Sequence, residues 1–461
     1  MWTNKKDTLN MELIQLRQEG YLTEEAEKAA AELKNDEEID KFYDILFSNL
    51  KKDKNYKYTE PEELEDILSS ASPSSPEKDI RSLNSCEISD KMKGAWFGRF
   101  IGCTLGKPFE CGHYVVSAFG NYGCQNVTAW FKGADAYPIT NYAPLHSEAE
   151  KTGLQLNPAT KGCTLGNITC MEQDDDVQYT VLGMKMIEEK GYGFTSWDTG
   201  LYWHSHLPYR TVCTAETAAY QNFTQLYPFT CDKKPDNWKD LIKYNHLHRN
   251  PYREWIGAAI RIDAFAYAFA GRPLEAAKAA YQDASFSHVK NGVYSAMFLS
   301  AMISSAFVEK DVDKLVEIAL SFLPPESRAY ETVLKAMELA AEDTSDEEMM
   351  IKLWQAFSNY DWVHSLNNLA AVVVSVLRSK GDYLKGTALA VNCGFDTDCN
   401  GATVGSILGA LNGFSNLPEH LCSPLNDTVY TGVLGFERKA SISEFAEKSF
   451  KTFEKLLNEK R

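Results

Sequence analysis

Apolar residues recur at intervals of three and four along most of the chain, the spacing of amphipathic helices. In the first part, Leu13, Leu16, Tyr21 and Leu22 lead to Ala26, Ala29 and Ala30, then to Ile39, Phe42 and Leu46. A Ser/Pro-rich stretch over 69–76 then reads as a linker. Beyond it the spacing predicts helices over 88–105, 177–190, 256–270, 274–281, 294–308, 312–322, 328–341, 347–357, 365–379, 383–392, 402–412 and 442–460. Gly191 and Gly193 stop one of them, and Gly271-Arg272-Pro273 separates two others. Residues 111–170 are rich in Gly, Pro, Tyr and Asn and lack periodicity, while their aromatic content argues for order. No convincing alternating strand pattern is present. The pattern predicts an all-α, compact multi-helix fold, with a helical appendage over 1–80 and one domain over 81–461.

Composition narrows the function. At 461 residues, 44% hydrophobic and 24% charged, the chain is ordinary for a globular protein. Its net charge of -17 argues against nucleic acid or an anionic membrane as partner. A phosphate-bearing substrate then requires a bound cation or a local basic pocket. Eleven cysteines without a Cys-x-x-Cys pair suggest reduced thiols and a cytoplasmic setting. The opening residues lack the apolar core of a signal peptide. No apolar run reaches the roughly 20 residues of a membrane span; the longest candidate, 366–377, reads as a buried helix. Oligomeric state is not legible.

The chemistry centres on Gly394-Phe395-Asp396-Thr397-Asp398-Cys399-Asn400-Gly401. Residues i and i+2 of a helix face different ways, so Asp396 and Asp398 converge only on a turn or at a helix entrance. Such a turn suits a hard cation held by oxygen. Asp174-Asp175-Asp176 forms a second acidic cluster at the start of another predicted helix. Both clusters are also compatible with simple helix capping, and their pairing favours a two-part metal site. Small residues around Gly257, Gly405 and Gly409 suggest close helix packing. Arg261 is either a phosphate ligand or one half of a buried ion pair with Asp263 or another acid. Glu110 is alternatively a solvated surface acid. His288 reads as structural, and His204 and His206 lack partners at zinc spacing.

These elements resemble the ADP-ribosylglycohydrolase family, whose members remove ADP-ribose from proteins or small adducts. The early cluster is similar to the family's Thr-Asp-Asp-Thr, and the late one to its Gly-Gly-Asp-Thr-Asp-Thr. Gly102-Cys103-Thr104-Leu105-Gly106-Lys107-Pro108-Phe109-Glu110 resembles its opening element, and Trp255 to Arg261 a middle element. Ser287-His288 resembles its later Thr-His. The order matches, over roughly residues 88–450.

The resemblance implies the family's all-α fold and two magnesium ions, with manganese or another divalent cation as alternatives. It implies Asp174, Asp175, Asp176, Asp396 and Asp398 as metal ligands. Glu110 and Asp175 are the candidate catalytic carboxylates, and Gly257, Arg261 and Asn400 the substrate contacts. The implied substrate is small-molecule or protein-linked ADP-ribose, with hydrolysis at the anomeric carbon. Asp174, Cys103 and Cys399 depart from the pattern, as do Trp255 and Ile256. They leave open a hydrolase of another N-glycoside, such as a nucleoside, or a non-catalytic ADP-ribose binder.

Overall fold

Strong helix formers and regularly spaced apolar residues make this a helical protein, seen in a computed structural model that describes residues 3–226 and 233–459. The appendage holds α1 (Lys5–Gln18), α2 (Glu24–Ala31), α3 (Asp36–Asn49) and α4 (Leu64–Ser70). The main domain opens with α5 (Ser85–Gly106), α6 (Gly112–Val115), α7 (Gly123–Gly133), α8 (Asp175–Lys190), α9 (Ser196–His206), α10 (Thr214–Leu226) and α11 (Trp238–Leu247). It continues with α12 (Asp263–Ala268), α13 (Pro273–Ala284), α14 (Lys290–Ala306), α15 (Val312–Leu320), α16 (Arg328–Ala341) and α17 (Asp346–Phe357). Last come α18 (Ser365–Ser379), α19 (Tyr383–Asn392), α20 (Thr397–Asn412), α21 (Glu419–Cys422) and α22 (Ile442–Asn458). Among the described residues the strands are a short antiparallel pair, β1 (Thr428–Tyr430) and β2 (Lys439–Ser441).

Several boundaries differ from the sequence pattern for visible reasons. The predicted helix 256–270 is broken: a 3-10 turn, Ile256–Arg261, precedes α12. In that turn Gly257 abuts the Glu216 carboxylate so closely that a side chain there would collide with it. Helix α20 begins at Thr397, five residues before the apolar run. Asp396 caps it and Asp398 lies in its first turn, where acids complement the positive end of the helix. Helices α7, α9, α10 and α11 carry mixed aromatic and polar sequence and escaped the pattern. Lys460, the predicted end of the last helix, lies outside the described residues. The 69–76 stretch lies along the main domain, with Ser72 N–H donating to Ser321 O at 3.1 Å and Ser74 N–H to Ser321 Oγ at 2.8 Å.

At the centre, α5 and α20 run antiparallel with backbone against backbone. A Cβ built on Gly94, Gly98 or Gly102 would strike the carbonyl of Gly409, Gly405 or Gly401, and the reverse holds for each partner. Gly106 meets Thr397 in the same way, and the Thr397 hydroxyl donates to Gly106 O at 2.9 Å. Four-residue spacing on both helices makes the two glycine rows face each other. The contact locks the end of α5 to the start of α20.

The appendage has its own small core of Leu9, Leu13, Leu16, Ile39, Tyr43 and Leu46. It docks through buried charge. Arg253 bonds Glu12 at 2.6 Å and Glu19 at 2.7 Å, and Arg328 bonds Glu60 at 2.7 Å and Glu254 at 2.8 Å. Gln15 donates to Glu254 at 2.6 Å, and Lys290 pairs with Glu19. Burial alone would raise the Glu254 carboxyl, but Arg328, His364 and Lys290 outweigh it and hold it below the usual carboxylate range.

Two substitutions test this packing. Gly98→Ala is expected to lower stability by about 1–3 kcal/mol in urea denaturation, because neither backbone can retreat. An unchanged midpoint would mean the helices separate freely. Arg253→Met is expected to cost about 3–5 kcal/mol, since Glu12 would be left buried without a cation and Glu19 with Lys290 alone. A neutral result would show that the interface tolerates protonated acids.

Candidate metal and active site

Both acidic clusters occupy helix entrances with the same local pattern. Asp174 is the N-cap of α8, and its Oδ1 accepts from the Asp176 N–H at 3.0 Å. Asp396 is the N-cap of α20, with Asp398 two residues on. The i and i+2 side chains thus converge across a cap rather than along a helix face. The approach to α20 is tightly specified. Gly394 and Phe395 both take positive φ, 72° and 58°. For a phenylalanine this costs on the order of 1–3 kcal/mol. Its ring stacks on Trp354 at 4.2 Å and 12°, and the Trp354 indole donates to Cys393 O at 2.7 Å.

The glycine contact brings α5 beside these entrances. Arg99, Cys103 and Lys107 lie four residues apart, on one stripe of α5 and its immediate end. Cys103, Asp174, Asp176 and Asp398 offer ligand atoms all within 4.8 Å of one another, as do Asp396, Asp398 and Cys399. Asp398 belongs to both groups, so the chain's early and late acids form one continuous centre. Asp175 and Glu110 complete it; they alone among its acids are partly exposed.

Charge in this centre is unevenly compensated. Arg99 Nη2 bonds Asp176 Oδ1 at 2.9 Å, and Lys107 Nζ bonds Asp174 Oδ2 at 2.6 Å. Asp176 Oδ2 and Asp396 Oδ1 are buried without a hydrogen-bond partner. Burial, then Asp398, pushes the Asp396 carboxyl well above the usual range. Burial followed by Asp174 does the same to Asp175 and also raises Asp398. Burial raises Asp176 although Arg99 opposes it. Glu110 is pushed well up by burial and by Asp398, Asp396, Asp174 and Asp175. Orphaned buried oxygens and mutually repelling carboxylates fit a divalent cation, which would satisfy both. The thiols of Cys103 and Cys399 are held well above their usual range by burial first and nearby aspartates next. The carboxylate oxygens are the donors better matched to a hard cation.

The remaining sequence candidates fall into two places. Asn400 is buried beside Asp396, and its Nδ2 donates to Asn368 Oδ1 at 2.8 Å while its own Oδ1 lacks a partner. Arg261 and Gly257 lie in a deeper layer. Arg261 is 1% exposed. Its guanidinium is engaged by Glu216 at 2.8 Å, by Asp283 and by the Ser287 hydroxyl at 2.8 Å. Those bonds leave it no free face for a phosphate, and its acid partners are Asp283 and Glu216 rather than Asp263, which pairs with Arg99 at 3.0 Å. His288 is buried against Ser287 at 2.8 Å, and His204 stacks on Tyr220 at 4.2 Å. His206 stacks on Tyr202 at 4.1 Å.

Sequence reading passed over Arg99, Asn368 and Glu216. Asn368 accepts from the Asp396 N–H at 3.1 Å and anchors itself to Trp362 O and His364 O, both at 2.8 Å. The polar pair Asn367-Asn368 inside an apolar helix was a usable signal. Arg99 was legible as the residue one turn before Cys103.

A family model described as ADP-ribosylglycohydrolase matches residues 84–458. No curated protein matches the chain. A solved structure named "ADP-ribosylglycohydrolase-related protein complex" is similar at 15% identity and a TM-score of 0.43, covering 80% of this chain and 99% of that one.

The raised carboxyls give stability a definite pH dependence. The folded cation-free protein holds protons on these acids more tightly than the unfolded chain does. Its stability therefore falls as pH rises above about 4. Thermal melting without divalent cation is expected to weaken as the pH rises above the ordinary carboxylate range. Saturating magnesium should raise the melting temperature, more at higher pH. Asp398→Asn should abolish the magnesium shift and lessen the pH dependence. A magnesium shift that survives in Asp398→Asn would place the cation elsewhere.

Proposed function

The chain belongs to the ADP-ribosylglycohydrolase family, and from that premise we propose that it is a divalent-cation-dependent hydrolase of the glycosidic bond in an ADP-ribosyl adduct. The observation that carries the reading is the convergence of Asp174, Asp176, Asp396 and Asp398 through the shared Asp398, with two carboxylate oxygens of these residues buried and unpartnered. Asp174, Asp175, Asp176, Asp396 and Asp398 are its candidate ligands. They offer two cation positions, for which magnesium is the oxygen-seeking choice and manganese the alternative. A bound divalent cation would supply charge neutralisation and Lewis-acid polarisation of a ribose hydroxyl or water.

The chain's own groups account for the rest. Departure of the aglycone leaves positive charge on the ribose ring, and the field of clustered carboxylates favours that charge. Asp175 and Glu110, being partly exposed, are the acids that reach a substrate. Burial and the neighbouring acids raise their proton affinity, as suits a group that takes a proton from water. Either takes the proton of the attacking water. Asn400, buried beside Asp396, orients the ligand set through its bond to Asn368. Arg261 fixes Glu216 and the Gly257 turn beneath the site, a positioning role. ADP-ribose, carrying negative phosphates, meets an acidic protein through bound cation rather than through basic surface, consistent with the net charge of -17. Among the described residues no helix is long and apolar enough to cross a membrane.

Asp396→Ala and Asp398→Ala are each expected to reduce turnover by more than about a hundredfold while leaving the helical circular dichroism intact. Assays with ADP-ribosyl arginine, ADP-ribosyl serine, O-acetyl-ADP-ribose and free nucleosides, with magnesium or manganese, identify the bond. Full activity in both variants would refute the site. Tight ADP-ribose binding without turnover under either cation would make the protein a binder.

A further inference from the structure

The two halves of the acidic centre are not equivalent. In the half built from Asp174 and Asp176, each carboxylate already has a fixed cation: Lys107 on Asp174 at 2.6 Å and Arg99 on Asp176 at 2.9 Å. Lys107 is held there, since its Nζ also donates to Gln173 O at 2.8 Å and its side chain is only 13% exposed. In the half built from Asp396 and Asp398 no ion pair is formed among the described residues. Each half keeps one orphaned oxygen, Asp176 Oδ2 and Asp396 Oδ1, so the difference lies in the ion pairs; Asp398 Oδ1 accepts from the Cys399 N–H at 3.1 Å.

We infer that Lys107 acts as a built-in counter-cation at Asp174, so that the protein takes one divalent ion tightly, at Asp396 and Asp398, and a second only weakly. This deepens the metal-dependent reading above and rests on it. The electrostatic reason is direct. An ammonium within bonding distance of Asp174 cancels the attraction that carboxylate offers to a second dication, and at this separation repels it.

Counting manganese ions bound to the full-length protein, by calorimetry and by electron paramagnetic resonance of free manganese, tests this. Wild type is expected to bind one ion tightly, with a second at least about tenfold weaker. Lys107→Met should bring the second ion to comparable affinity, and Lys107→Arg should leave the count at one. Two ions of like affinity in wild type would overturn the inference while leaving the metal-dependent reading in place. A folded Lys107→Met that still takes a single tight ion would overturn it also. No tight ion in wild type would overturn the metal-dependent reading itself. If Lys107→Met does not fold, the wild-type count alone decides.

Discussion

Everything at the centre of this protein depends on how closely two helices approach. Where α5 meets α20, glycine faces glycine over three successive turns, and any side chain would strike a carbonyl. The row ends where Gly106 meets Thr397 and Asp398. The N-terminal turn of α20 is thereby pressed against the end of α5, which carries Cys103 and Lys107. Close approach replaces side-chain packing by van der Waals and Cα–H contacts between backbones. It also sacrifices helix propensity, about 1 kcal/mol for each glycine. The arrangement is stable only because the surrounding helices bury it.

The electrostatic design follows from that contact. Two helix entrances, each with an acid at the cap and another two residues later, are aimed at one point. Positive helix ends lessen the repulsion, and Arg99 and Lys107 offset part of the remainder. Two carboxylate oxygens stay buried and unpartnered. The site therefore concentrates mutually repelling acids, held in place by Asn368 and by the Phe395–Trp354 stack beside it.

Much of this was legible in the sequence because it depends on period and local chemistry. Helices 328–341, 365–379 and 383–392 fall on the residues their apolar spacing indicates. The acidic turns stood out because acids one residue apart have few local uses. What the sequence hid depends on contacts distant in the chain. Nothing near Arg261 announces that Glu216 and Asp283 will enclose it. Nothing near Gly94 or Gly98 names Gly409 or Gly405 as partners, although small residues on α20 hinted at a close neighbour. The 256–270 helix was misread because periodicity does not register a carboxylate pressed against Gly257.

The charged seam between the appendage and the main domain bears on how the two parts can change through descent. Arg253 and Arg328 lie within the region matching the family, whereas Glu12, Glu19 and Glu60 lie before it. A chain shortened to that region would expose a row of guanidinium and ammonium groups stripped of their counter-ions. The first eighty or so residues are therefore electrostatic partners of the main domain, each acid on one side constraining which base is tolerated on the other.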